Sequence, residues 1–131
     1  MIDHLSLSVR DLAASAAFYE AVVAPLGYRR LVEREATVGF GKRYPEVWLN
    51  HRPNRSPEPG DTGLHICLRA RDQACVQAFH QAALDHGGSD DGPPGPRQAA
   101  MTGYYAAFVR DLDGNRIEAA TFPPILEEGS P

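Results

Sequence analysis

The chain has 131 residues, 43% of them hydrophobic, which is the size and composition of one globular folding domain. Its formal net charge of -4, without any run of Lys or Arg, gives no electrostatic reason to expect a nucleic acid or a membrane surface as partner. Two cysteines are too few for a disulfide framework, and the sequence contains neither a secretory signal nor an apolar stretch long enough to cross a bilayer. These features predict a small-molecule ligand and a reducing, cytoplasmic location.

The first predicted unit, about residues 2–50, begins with alternating polar and apolar residues from His4 to Val9, the pattern of a half-buried strand. Asp11 follows as a helix N-cap, and apolar residues then recur at helical spacing until Gly27. Three shorter strand-like runs come next, at residues 28–33, 37–40 and 46–50. The proline-rich residues 51–61 are predicted to link this unit to a second one.

The second unit, about residues 62–122, repeats the order of the first. A shift of 61 residues places His4 on His65 and Asp11 on Asp72, and apolar identities continue along the helix. Two βα units that obey the same packing rules would also look alike, which is the alternative to a true repeat. After the second helix, residues 87–96 are predicted to be a loop with at most one irregular strand. Two clear strands follow at 103–110 and 116–122, joined by a turn at 113–114, and residues 123–131 form a C-terminal tail.

His4 and His65 occupy the same position of the repeated strand, on the face opposite its apolar residues. Aligning the last strands of the two units sets Trp48 against Glu118, which places Glu118 on the same polar face as the histidines. A lone strand histidine is otherwise a hydrogen-bonded structural residue, and a lone strand glutamate is otherwise an exposed edge residue. The recurrence of His4 at His65, together with Glu118 on the same face, favours a shared site.

Two imidazoles and one carboxylate suit a divalent first-row metal and leave coordination positions open for substrate, water or oxygen. The candidate metal ligands are therefore His4, His65 and Glu118. Iron, manganese, zinc and nickel all fit this set, and the sequence does not choose among them. One metal ion is expected in each site.

Further residues are candidates for lining a substrate pocket, although an aromatic residue in a strand is more often part of the core. They are Trp48, Asn50, Cys67, Tyr104 and Tyr105. Glu46 shares the strand parity of Trp48 and is an alternative neighbour of the metal. Arg10 at the end of the first strand is expected to be structural.

Several motifs resemble the vicinal oxygen chelate superfamily, which contains glyoxalases, bleomycin resistance proteins and extradiol dioxygenases. They are Asp3 to Leu12, the Phe18-Tyr19 pair, Leu26-Gly27-Tyr28, and above all the Asp-x-Asp-Gly-Asn-x-x-Glu of residues 111–118. The resemblance covers about residues 2–122. It implies an α+β fold of two tandem βαβββ modules that form a curved, incomplete mixed β-barrel with the helices outside. It also implies metal ligands on the first strand of each module and on the last strand of the second, which are His4, His65 and Glu118.

The resemblance leaves the reaction open. Glyoxalase I enzymes place a second glutamate where this chain has Trp48, so a three-ligand site is more similar to extradiol dioxygenases or fosfomycin-modifying transferases. We expect a metal-dependent lyase, isomerase or dioxygenase that acts on a small substrate with vicinal oxygens, and a homodimer. The alternatives are a non-catalytic drug-binding protein of the bleomycin resistance type and a relative that retains only a structural metal.

Overall fold

The computed structural model describes residues 1–56, 61–98 and 103–122, and these contain eight strands and two α-helices. The first unit consists of β1 (Leu5–Val9), α1 (Leu12–Val23), β2 (Arg29–Glu33), β3 (Thr37–Gly41) and β4 (Pro45–His51). The second consists of β5 (Ile66–Arg69), α2 (Gln73–Asp85), β6 (Ser89–Pro96), β7 (Tyr105–Arg110) and β8 (Arg116–Thr121). The predicted tail at 123–131 and residues 57–60 of the predicted linker lie outside the described residues.

Each unit forms a four-stranded mixed sheet with the same topology. The strand orders are β1-β4-β3-β2 and β5-β8-β7-β6, with the first and last strands of each unit parallel and the other pairs antiparallel. Within the described residues, these two sheets do not close into a barrel. The predicted α+β fold of two βαβββ units is confirmed. None of the described helices is long and apolar enough to span a bilayer.

The strand register confirms the alignment of the two units. In the first sheet Ser6 of β1 lies opposite Trp48 of β4, and in the second sheet Cys67 of β5 lies opposite Glu118 of β8. Trp48 and Glu118 therefore occupy equivalent positions, as the sequence alignment predicts.

The helix boundaries follow the predicted signals. Asp11 and Asp72 each accept a hydrogen bond from a backbone N–H in the first turn of the helix that follows, which confirms both N-caps. After α1 a single 3-10 turn contains Pro25 and ends at Gly27, whose φ of 86° is the left-handed conformation that glycine adopts most easily. The predicted loop at residues 87–96 is largely the irregular strand β6, which pairs with β7 through two register shifts.

The helices cover one face of each sheet and contact each other, so one continuous core serves both units. Alternate strand residues point into this core, where they are almost completely buried: Val9, Phe40, Leu49, Val109, Ile117 and Ala119. The opposite strand residues are left on the other face. This alternation separates a helix-packed face from a face that is free to bind a ligand.

The turn between β7 and β8 is held by a buried carboxylate. Asp111 accepts hydrogen bonds from the Tyr19 hydroxyl at 2.6 Å, from the backbone N–H groups of Asp113 and Asn115, and from the Asn115 side chain. Burial raises the pKa of the Asp111 carboxyl, although these hydrogen bonds oppose that shift. Burial and the neighbouring Asp111 also raise the pKa of Tyr19, so the hydroxyl remains a donor.

A second carboxylate of the same turn ties the two units together. Asp113 accepts hydrogen bonds from the backbone N–H and the guanidinium of Arg10, each at 3.0 Å, and from the Ser15 hydroxyl at 3.4 Å. Arg10 lies at the end of β1, so hydrogen bonds join the β7–β8 turn of the second unit to the first strand of the first unit. The expectation that Arg10 is structural agrees with this contact.

We predict that Asp111→Ala destabilises the protein by about 3 kcal/mol or more, because it leaves the Tyr19 hydroxyl and two backbone donors without their acceptor. Tyr19→Phe removes a single hydrogen bond and should cost about 1 kcal/mol. Urea unfolding would measure both, with the exposed Asp85→Ala as a control within about 0.5 kcal/mol of wild type. An Asp111→Ala protein as stable as the control would contradict the role of this turn.

Candidate active site

The face of each sheet that lies opposite the helices is called here the site face. In the first unit it carries the even-numbered residues of β1 and β4, and in the second it carries the odd-numbered residues of β5 with the even-numbered residues of β7 and β8. Most of the residues predicted for a metal site or a pocket belong to this face.

His65 and Glu118 meet on the site face of the second unit. The His65 Nε2 atom lies 2.9 Å from Glu118 Oε1, and the Glu118 side chain is only 2% exposed whereas that of His65 is 47% exposed. The second carboxylate oxygen, Glu118 Oε2, is buried and has no hydrogen-bond partner among the described residues. A buried carboxylate oxygen without a partner is costly, so this position suits a cation.

The residues beside Glu118 explain its burial. Cys67 and Phe108 flank it in the strand register, and the Phe108 ring lies 5.9 Å from the imidazole of His65. Partial burial and the Glu118 carboxylate raise the pKa of the Cys67 thiol to about 12. Because only a thiolate is a good nucleophile, Cys67 is suited to filling space beside Glu118.

His4 does not join His65 and Glu118. Its imidazole is 54% exposed, and its Nδ1 atom lies 2.7 Å from the carboxylate of Asp3. Within residues 1–56, 61–98 and 103–122, no group of three or more His, Cys, Asp or Glu side chains is arranged to hold a metal ion. The structure thus brings together two of the three predicted ligands within the described part of one chain.

The strand arrangement accounts for this separation. Leu7 of β1 lines a small cavity with His65 and Ile66, whereas His4 lines another cavity with Leu68 of β5. The two strands therefore pass each other in opposite directions. His4 immediately precedes β1 and His65 immediately precedes β5, so the two imidazoles lie at opposite ends of the region where the two strands meet.

A second carboxylate lies near His4. Glu46, at the start of β4, lines the same cavity as His4 and Tyr28, and its Oε2 atom is buried without a hydrogen-bond partner among the described residues. The Tyr28 hydroxyl donates to Glu46, and burial together with this carboxylate raises the pKa of Tyr28 to about 12. Each unit therefore places a histidine near a carboxylate that has one unpaired oxygen.

Trp48 and Asn50 follow Glu46 on the site face. The indole of Trp48 lies across Gly39, where an added Cβ would be 3.0 Å from the ring, and the Arg34 guanidinium lies 5.5 Å from the ring centre. Asn50 lies opposite Ser8 of β1. Trp48 thus occupies the space that Phe108 and Glu118 fill in the second unit.

The two predicted pocket tyrosines lie on different faces. Tyr104 packs edge-to-face on Phe122, with ring centres 4.9 Å apart, and the Arg69 guanidinium of the site face lies over the same Phe122 ring. Tyr105 instead packs against the core, and its hydroxyl accepts a hydrogen bond from Gln77 of α2. The expectation that Tyr105 lines the pocket is therefore corrected, because side chains alternate along β7 and Tyr105 points to the helices.

Phe108 is a residue of this face that the sequence analysis missed. The predicted turn at Asp113-Gly114 contained the signal, since residues at equal distances on either side of position 113 pair across the hairpin. Phe108 and Glu118 are such a pair. The sequence offers Glu46 only as an alternative neighbour of the metal. The spacing of Glu46 and Tyr28 in the sequence does not predict that the two side chains meet.

Two βαβββ units with a histidine and a buried glutamate on the site face define a class of fold and site that matches a known superfamily. The family model "Glyoxalase/Bleomycin resistance protein/Dioxygenase superfamily" matches residues 1–119. The chain belongs to this superfamily. No curated protein matches the sequence.

Solved structures agree with this membership. The chain is 30% identical to a glyoxalase/bleomycin resistance protein from Albidiferax ferrireducens, with 92% of this chain and 98% of that chain covered and a TM-score of 0.77. The fold is also shared with the fosfomycin resistance protein FosX of Listeria monocytogenes, at 16% identity, 98% and 96% coverage and a TM-score of 0.67. A glyoxalase I variant from Zea mays is similar at 20% identity and a TM-score of 0.71, over 90% of this chain and 44% of that one.

We predict that Gly39→Ala disturbs the site face of the first unit. The added Cβ would lie 2.9 Å from the Pro45 side chain and 3.0 Å from the Trp48 ring, so the indole must move. Because the chain has a single tryptophan, its fluorescence spectrum should shift, and the overpacking should cost about 1–3 kcal/mol. Gly63→Ala is the control for the emission spectrum only, because its added Cβ meets nothing within 4 Å whereas its φ of 77° strains an alanine there. An unchanged emission spectrum in Gly39→Ala would contradict this placement of the indole.

Proposed function

We propose that the protein is a metal-dependent enzyme that acts on a small substrate with vicinal oxygens, as a lyase, isomerase or dioxygenase. The observation that carries this proposal is Glu118, a buried carboxylate with one unpaired oxygen and an imidazole nitrogen 2.9 Å from the other. A divalent cation would be coordinated by the unpaired oxygen and also by the imidazole nitrogen of His65. Superfamily membership supports an enzyme but does not choose the reaction.

We infer that a homodimer completes the site. His65 and Glu118 form one half of the site. His4 and Glu46 form the second half, and no further described residue of the same chain completes a set of three ligands with either half. A two-fold pairing would set the first half of one protomer against the second half of the other. In this proposal His4, His65 and Glu118 hold the metal, with His4 donated by the partner protomer.

Side chains of the site face would have separate roles beside the metal. When bound, the metal would act as a Lewis acid toward paired substrate oxygens. Phe108 and Trp48 would exclude water from the site face, which strengthens the electrostatic interactions there. Tyr28 keeps its proton because burial and the Glu46 carboxylate raise its pKa to about 12, so its hydroxyl would hold the Glu46 carboxylate in place on the side of the first unit.

A mixing experiment tests the shared site. Each single variant, His4→Ala, His65→Ala or Glu118→Ala, should lower metal affinity at least tenfold. A refolded mixture of His4→Ala and His65→Ala should regain tight binding in a fraction of its sites, because mixed dimers contain one site with both histidines intact. Metal content per chain, from elemental analysis after dialysis, measures the recovery.

The mixture of His65→Ala with Glu118→Ala is the matched control, since both changes fall on the same half and no mixed dimer has an intact site. His86→Ala, whose ring nitrogen Nδ1 lies 2.8 Å from the Ala82 carbonyl, controls for the loss of an exposed histidine. Recovery that is absent from both mixtures would place the site within one chain and overturn the shared arrangement. Unchanged affinity in all three single variants would overturn the metal site itself.

The residue at position 48 decides how many ligands the site offers. Trp48 occupies the register position equivalent to Glu118, and glyoxalase-type ligand sets carry a carboxylate there. We predict that Trp48→Glu tightens metal binding at least tenfold, whereas Trp48→Gln, which removes the indole without adding charge, does not. Competition with a chromogenic chelator would measure both affinities. Equal affinities would indicate that the position does not face the metal and would favour Glu46.

A non-catalytic drug-binding protein is the second candidate function. The absence of a complete ligand set within the described residues of one chain is the observation that favours it. Such a protein would bind its ligand equally well with and without metal. Ligand binding that requires the metal would exclude this candidate.

A further inference from the structure

A cavity of about 340 Å³ opens beside His65 on the site face of the second unit. Its lining includes His65, Phe108 and four charged residues: Asp61, Asp91, Arg97 and Arg116. The cavity is large enough for a small molecule and adjoins the imidazole that is proposed to hold the metal. Its charges therefore bear on which substrates would enter.

Arg97 is held in a defined position at this cavity. Its guanidinium donates to the backbone carbonyls of Pro93 and Pro96 and lies 5.6 Å from the centre of the Phe108 ring. The irregular strand β6 leaves room for it, because a Cβ at Gly95 would lie 3.2 Å from its Nη1 atom and one at Gly92 would lie 3.4 Å from its Nη2 atom. An arginine fixed in this way loses little side-chain entropy when it binds a ligand.

The other charges of the cavity are already paired. Asp91 accepts from Arg110 at 3.4 Å, and Asp61 lies 3.6 Å from Arg116. Arg97 has no carboxylate within 4.0 Å among the described residues, and its two carbonyl contacts leave several of its five N–H donors unused. Asp90 attracts Arg97 at longer range, but its carboxylate lies 2.8 Å from the His80 imidazole. Among the described residues of this cavity, Arg97 is thus a guanidinium without a direct ion pair.

We infer that Arg97 binds a carboxylate of the substrate and so selects small monoanions. A planar guanidinium matches a carboxylate with two parallel hydrogen bonds, and a single positive charge balances a single negative one. The Phe108 ring lies against both the Arg97 guanidinium and the His65 imidazole. The substrate would therefore direct its carboxylate toward Arg97 and its metal-facing oxygen toward His65, and the Phe108 ring would pack against the part that joins them. This inference rests on the proposed function for the identity of the metal-facing end.

Two probes that differ only in charge test the inference, namely 4-hydroxybenzoate and its neutral isostere 4-hydroxybenzamide. Calorimetry or ligand-observed NMR at neutral pH would give the dissociation constant of each for wild-type protein, with and without bound zinc. We expect the acid to bind at least tenfold more tightly than the amide. Arg97→Gln should reduce this ratio to about one, and Arg97→Lys should retain part of it because lysine keeps the charge but loses the planar pair of donors.

Arg29→Gln, on the exposed edge strand β2 of the other unit, is the matched control and should leave the ratio unchanged. A ratio near one in wild type, or an unchanged ratio in Arg97→Gln, would overturn the inference, as would failure of both probes to bind at millimolar concentration. The measurement without zinc separates this result from the proposed function. If the protein binds no metal but the ratio still depends on Arg97, the metal proposal fails and the carboxylate site stands.

Discussion

The turn that joins β7 to β8 is the constraint on which the rest of the molecule depends. Asp111 organises the turn by accepting from its own backbone and from Tyr19 of α1, and Asp113 holds the end of β1 through Arg10. The turn sets the register of the hairpin, and that register places Glu118 beside Phe108. The same few hydrogen bonds therefore join the two units and position the buried carboxylate of the candidate site.

The two units have kept the same fold while their site faces have diverged. In the second unit a glutamate is buried opposite Cys67, and in the first a tryptophan fills the equivalent position across Gly39. Glu46 supplies a carboxylate nearby, with Tyr28 as its donor. A repeated βαβββ unit thus offers equivalent strand positions, but the residues that occupy them give each unit a different chemical character.

Charge and burial together describe what the second unit's face can bind. The unpaired oxygen of Glu118 favours a cation at one point, and the guanidinium of Arg97 favours an anion at another. The Phe108 ring lies 5.9 Å from the His65 ring and 5.6 Å from the Arg97 guanidinium, and it gives the cavity an apolar wall. A ligand that is polar at both ends and flat in the middle fits this distribution, and membership of a superfamily that includes glyoxalases and dioxygenases is compatible with it.

The sequence by itself determined the fold, because the alternation of β1, the N-caps Asp11 and Asp72, and the repeat at 61 residues are local signals that survive without tertiary contacts. It also determined that Glu118 and Trp48 are equivalent, since strand parity follows from counting. Only the tertiary structure decided that His65 meets Glu118 while His4 does not, because that depends on how β1 and β5 pass each other. The position of Arg97 likewise depended on the bulges of β6, whose irregular register no periodic pattern predicts.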